Sequence, residues 1–150
     1  MGLQEKTNSI LNDLIEINND RVAGFEKAIE DIDDANLDLK VLFEAYILQS
    51  KKYAVELSAI VLKHGGNPED GTSVSGGLHR AWIDVKALFG GSDRKSILSE
   101  AERGEDAIKK AYKEAIESPE IAQEVLPTLL DQSKGIQDSH DKIKALRDSA

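Results

Sequence analysis

The stretch between the second and third of four amphipathic helix patterns is about 30 residues long, and it constrains the fold more than any other feature of the chain. A loop of a few residues joins antiparallel neighbours. A connection of this length lets the chain travel back along a bundle, so that the helices on either side of it run the same way. The expected architecture is all-α: four long helices, two short connections, and one long crossover between helices 2 and 3.

Apolar spacing places the elements. Helix 1 is expected from Thr7 to about Asp33, capped by Thr7, Asn8 or Ser9, with Leu11, Leu14, Val22, Phe25, Ile29 and Ile32 on one face. Asn18 shares that face and Arg21 flanks it. After an acidic turn, helix 2 is expected from about Leu37 to Lys63, with Leu39, Leu42, Phe43, Tyr46, Tyr53, Leu57, Ile60 and Val61 as its stripe. Gly65 and Gly66 end it, because glycine accepts the left-handed conformation cheaply.

The crossover begins as a polar, glycine-rich loop. A short fifth helix follows, from roughly Leu78 to Phe89, with Leu78, Trp82, Val85 and Phe89 on an apolar face that can lie across the bundle. His79, Arg80 and Trp82 are the residues expected to seat it, with Trp82 mostly buried. Helix 3 is expected from about Asp93 to Glu117. Ser118-Pro119 reads as the start of helix 4, with proline at its first position, and Pro127 as a kink or restart before the end near Asp148.

A chain of 150 residues supports one domain, residues 1–150, with a core of its own. The net charge of −9 argues against nucleic acid, whose phosphates require clustered lysine and arginine, and against anionic membrane surfaces. The absence of cysteine excludes disulfides, thiol catalysis and thiolate metal sites. No signal peptide or membrane span is visible in the sequence, so a cytoplasmic location is expected.

Several motifs fail their templates. The acidic run from Asp31 to Glu44 lacks the glycine and the final glutamate of a calcium-binding loop in either register. The loop from Gly65 to Thr72 lacks the Gly-Lys-Thr ending of a phosphate loop, and its acidic residues would repel phosphate. No strand–turn–helix elbow presents a serine to His79 or His140. No catalytic residue is assigned, and the reading leans away from an enzyme.

The run Glu102-Arg103-Gly104-Glu105-Asp106 is more informative. Glu105 lies seven residues after Leu98 and seven before Tyr112, so it shares their inward face. Glu102 lies beside it, and helix 4 carries Gln137-Asp138-Ser139-His140. Axial level can be counted from the common end of the bundle, near residues 33, 37, 93 and 148. Glu102 lies nine residues from that end, level with Gly24, Tyr46 and Ser139. Glu56 is 19 residues from it, ~15 Å below Glu102 at 1.5 Å per residue, and cannot share a site with it. Two sets follow. Arg21, Gln49, Glu105 and Gln132 would form a buried hydrogen-bond layer that fixes helix register. Alternatively, Glu26, Glu102, Glu105 and His140 would bind a metal, with Gln49 or Tyr46 from helix 2.

Several blocks together resemble a known group: Gly65-Gly66-Asn67-Pro68, Gly76-Gly77-Leu78-His79-Arg80-Ala81-Trp82, Glu102-Arg103-Gly104-Glu105-Asp106 and Ser139-His140-Asp141. The chain is similar over nearly its whole length to a bacterial family of ferritin-like four-helix-bundle proteins of unknown function. The resemblance implies the ferritin-like fold and a bacterial origin, and no activity. Ferritin-like di-iron sites use a glutamate from each of two helices and Glu-x-x-His from each of the other two. Here no histidine follows Glu56, and helix 4 has Gln137 where glutamate is expected.

The expected function is therefore non-catalytic, through protein contacts or self-association, and a stress-related role fits the same reading. No cofactor is expected. The alternative is a carboxylate/histidine protein that binds iron or manganese. A homo-oligomer is compatible with either reading, and the sequence names no protein partner.

Overall fold

The computed structural model describes residues 2–71 and 93–150. Within them lie four long helices: α1 (Leu3–Asp31), α2 (Leu37–Lys63), α3 (Arg94–Glu117) and α4 (Leu126–Asp148). Single 3₁₀ turns at Asp34–Asn36 and Gln123–Val125 precede α2 and α4. The described residues contain no strand. The expected fifth helix, with His79, Arg80 and Trp82, lies outside the described residues.

Side-chain pairs fix the direction of each helix. Arg21 of α1 meets Gln49 and Ser50 of α2, whereas Asn8 meets His64 at the other end, so α1 and α2 are antiparallel. Asn18 and Arg21 meet Tyr112 and Glu105 in reversed order, so α1 and α3 are antiparallel too. Glu105 with Ser139, and Tyr112 with Gln132, set α4 against α3. Helices α2 and α3 therefore run the same way. The crossover leaves α2 along α1: Asn12 donates to the Asn67 carbonyl at 3.1 Å and Asn19 to that of Gly71 at 3.0 Å.

Leu11, Leu14, Ile15, Phe25, Leu39, Phe43, Leu57, Ile97, Leu98, Ile108, Leu129, Ile136 and Ile143 fill the core between the four helices. The Phe25 and Phe43 rings lie 4.8 Å apart, and Tyr46 lies 5.7 Å from Phe25. Gly135 permits close contact between α2 and α4, because a Cβ there would fall 1.9 Å from the Tyr53 hydroxyl. At the opposite end Arg94 grips the Asp38 carboxylate through two bonds of 2.9 and 2.7 Å, and this holds that carboxyl below the usual carboxylate range.

Two helix starts differ from the sequence expectation. Helix α1 begins at Leu3 rather than Thr7, because Leu3-Gln4-Glu5-Lys6 contains no helix breaker and Gly2 takes the cap position. Thr7 has a tertiary task instead. Its hydroxyl donates to the Glu120 carbonyl at 3.1 Å and accepts from the Ala122 amide at 2.9 Å. Helix α4 begins at Leu126 rather than Ser118-Pro119, and it is Pro127 that sits in the first turn, where a missing N–H costs nothing. Ser118 closes α3, and its hydroxyl accepts from the Glu120 amide. Ile121, Ala122 and Val125 then plug the end of the core.

Helix α2 ends as expected. Gly65 adopts φ +77°, the Gly65 amide donates to the Leu62 carbonyl, and the Gly66 amide donates to that of Val61. This is the double closure of a Schellman cap. Gly65→Ala is expected to cost about 1–2 kcal/mol, because an L side chain is strained in this conformation. Thermal melts of the two proteins check it.

Candidate functional site

The centre of the bundle is polar. Arg21 of α1 and Glu105 of α3 are both fully buried. They form a two-pronged pair: Nε lies 2.7 Å from Oε1, and one Nη2 hydrogen reaches Oε2 at 2.9 Å. The rest of the guanidinium is also satisfied. Nη1 donates to Gln49 Oε1 at 2.7 Å and Ser50 Oγ at 2.9 Å, and Nη2 donates to Ser139 Oγ at 3.0 Å. Ser139 Oγ in turn lies 2.7 Å from Glu105 Oε2 and 2.8 Å from the Ile136 carbonyl, with one hydrogen to give. The rings of Phe25 and Tyr46 face the guanidinium at 5.4 and 5.3 Å. All four helices contribute, so the layer ties their axial registers together.

A second layer lies next to it. Asn18 donates to the Tyr112 hydroxyl at 2.8 Å, and that hydroxyl donates to Gln132 Oε1 at 2.7 Å. Gln132 Nε2 reaches Glu56 Oε1 at 3.1 Å. Burial raises the Tyr112 phenol well above its ordinary range. It pushes Tyr46 up to about 12, with the Glu105 carboxylate adding to the effect and Arg21 opposing it. Unfolded tyrosines titrate near ~10, so above that pH the unfolded chain releases protons that the folded chain keeps. This stability is complete below pH ~10 and is lost as pH rises through the folded values. The melting temperature is expected to fall steeply above pH ~10, with phenolate absorbance appearing together with unfolding.

The third polar group lies between α3 and α4 and shares no hydrogen bond with the Arg21–Glu105 pair. The Nε2 atom of His140, a largely buried side chain, lies 2.8 Å from Asp106 Oδ1 and 3.4 Å from Glu102 Oε1. Its Nδ1 lies 3.1 Å from Asp141 Oδ1. Hydrogen bonds from His140 and Gln137 hold the Asp141 carboxyl below the usual carboxylate range. Arg147 bonds the other oxygen of Glu102. One donor atom each from Glu102, Asp106 and His140 lies within 4.8 Å of the others.

These positions can be set against the two residue sets read from the sequence. Arg21, Gln49 and Glu105 meet in one layer, while Gln132 belongs to the adjacent one. Of the metal set, Glu102 and His140 are neighbours. Glu105 is engaged by Arg21 and Ser139, and Glu26 is exposed on α1. The third potential donor beside His140 is Asp106. Sequence reading gave Ser50, Ser139 and Asp106 no role. The signal was present: Ser50 falls four residues after Tyr46 and Ser139 three after Ile136, each a small polar residue in an apolar stripe. Asp106 follows Glu102 by four, which makes them neighbours on one face.

The arrangement limits the chemistry. A general base needs a free lone pair within reach of substrate. The Glu105 oxygens accept from Arg21 and Ser139 in a closed layer. A cation at this level would face the guanidinium. The outer triad is different: two carboxylates and an imidazole are a donor set that iron, manganese or zinc accept, although Arg147 competes for Glu102.

A family model described as a domain of unknown function, DUF2383, matches residues 6–118, from the first turn of α1 to the end of α3. The chain belongs to this family. Its matched region contains Asn18, Arg21, Gln49, Ser50, Glu56, Glu105 and Tyr112, and α4 adds Gln132, Ser139 and His140 from beyond it. No curated protein shows significant similarity to the chain. No described helix is long and apolar enough to cross a membrane.

Proposed function

We propose that this DUF2383 protein is a non-catalytic, ferritin-like bundle that works in the cytoplasm through protein contacts, including contacts with itself. The parallel course of α2 and α3 on either side of a long crossover supports the ferritin-like assignment. The observation that carries the functional reading is the Arg21–Glu105 pair. It places a neutral, fully hydrogen-bonded unit at the bundle centre, with both Glu105 oxygens engaged. The surface supports it as well, since large exposed apolar side chains concentrate on α2.

The triad of Glu102, Asp106 and His140 favours a second reading, a site for iron or manganese at the α3–α4 surface. Elemental analysis of protein purified without tag or chelator separates the two. The protein-contact reading expects iron and manganese far below one per chain. Stoichiometric metal that disappears in His140→Ala would establish the second reading and displace the first.

A further inference from the structure

Five large apolar side chains on α2 are exposed: Leu37 at 58%, Val41 at 63%, Leu48 at 67%, Val55 at 69% and Leu62 at 62%. Positions 41, 48, 55 and 62 recur every seven residues, the repeat that keeps a seam on one side of a helix that packs on another. Core residues Phe43, Ser50, Leu57 and Val61 occupy the other side of α2. One turn after the seam residues come Ala45, Lys52 and Ala59, all exposed. Two small residues in this row allow a second helix to approach closely. Four large apolar side chains aligned along one exposed side of a helix form a candidate interaction face.

Charge indicates what covers it. The chain carries −9 overall, yet α2 holds four lysines against three carboxylates, a net +1. A second copy of this acidic chain meets the least repulsion along this helix. The charges beside the seam also change sign along it, from Glu44 to Lys51 and Lys52.

We propose that two copies of the chain pair through the outward face of α2, antiparallel, with Leu48 on the two-fold axis. Leu48 then meets Leu48, Val41 meets the other copy's Val55, and Glu44 lies opposite the other copy's Lys52, each contact occurring twice by symmetry. A parallel pairing in register would set glutamate against glutamate and lysine against lysine. An antiparallel pairing centred between Leu48 and Val55 would set Lys51 against Lys52. The charge pattern thus favours the Leu48-centred antiparallel register over these two, and its two Glu44–Lys52 pairs distinguish it.

This proposal deepens the protein-contact reading and rests on it. Sedimentation equilibrium of the full chain over a concentration series is the first test. The parent is expected to be a dimer, and Leu48→Glu a monomer with unchanged helical circular dichroism. Glu44→Lys is expected to weaken the dimer about tenfold, because symmetry repeats the lost contact, and adding Lys52→Glu in the same chain should restore it.

The chain has no cysteine of its own, which permits disulfide trapping with oxidised glutathione. Leu48→Cys should cross-link to itself. Val41→Cys should cross-link to Val55→Cys in a mixture, and neither should do so alone. Self-linking Val55→Cys would overturn the antiparallel register. A parent that stays monomeric, or a Leu48→Glu variant that remains dimeric, would overturn the interface. So would a monomeric parent that Leu48→Glu destabilises, since the strip would then be covered by the chain's own residues. A metal-free monomer removes the dimer alone, whereas a monomer with stoichiometric iron or manganese removes the dimer and the protein-contact reading together.

Discussion

Glu105→Leu is expected to destabilise the fold by about 3–5 kcal/mol, a large share of the roughly 5–15 kcal/mol that holds a typical domain together. The substitution strands the Arg21 guanidinium at zero exposure, with Nε and one Nη2 hydrogen lacking acceptors. Water cannot reach it, and an unpaired buried charge has no cheap refuge. Replacing both members, Arg21→Met with Glu105→Leu, removes both charges together and should be much milder than the single change. Pairs of this kind are often neutral or even stabilising when exchanged for apolar residues of similar volume. Urea unfolding of the parent, the single variant and the double variant measures the difference. A double variant as damaged as the single one would mean that the layer stabilises through Gln49, Ser50 and Ser139 rather than through mutual neutralisation.

Phe25→Ala should cost a comparable ~3–5 kcal/mol, the usual range for emptying a buried aromatic site. Phe25 is fully buried against Phe43 and Tyr46 and lies beneath the Arg21 guanidinium. Its loss opens a cavity between the apolar core and the polar layer, where water could enter and loosen the ion pair. The effects of Phe25→Ala and Glu105→Leu should therefore fall short of additive, as expected for residues that share a partner. A four-point cycle of urea midpoints decides this. Strict additivity would show that core and layer are energetically independent.

Helix existence and mutual direction were legible in the sequence because apolar spacing and loop length report them directly. Axial counting also set Arg21 and Glu105 twelve residues from the same end of the bundle, and their side chains meet. The count treats each helix as a rod and ignores which way a residue faces. Glu26 was placed near the Glu102 level, yet it follows inward-facing Phe25 by one position and so points to solvent. Gln132 is 16 residues from the bundle end at residue 148, four further than Glu105 is from the same end at residue 93. Four residues make ~6 Å, and that puts it in the adjacent layer with Tyr112.

Helix starts were read from local signals, and two of those signals served tertiary ends. Thr7 looked like a cap and instead pins the segment before α4, and Ser118-Pro119 looked like a start and instead closes α3. The apolar strip on α2 was written in the sequence too, at a spacing of seven. The sequence reading leaves all four of its residues outside the helix 2 stripe, and the fold shows them exposed on the side of α2 away from the core, where nothing in the spacing alone assigned them a use.

What the sequence determined by itself is therefore periodic and local: four helices, their order, the crossover, and an inward carboxylate that required a partner. What only the tertiary structure decided is which donor reached that carboxylate first. Arg21 reaches Glu105, while Glu102 is shared between Arg147 and His140 and Asp106 lies beside His140, because hydrogen bonding depends on distances of a few tenths of an ångström between helices, and no spacing along one helix encodes them.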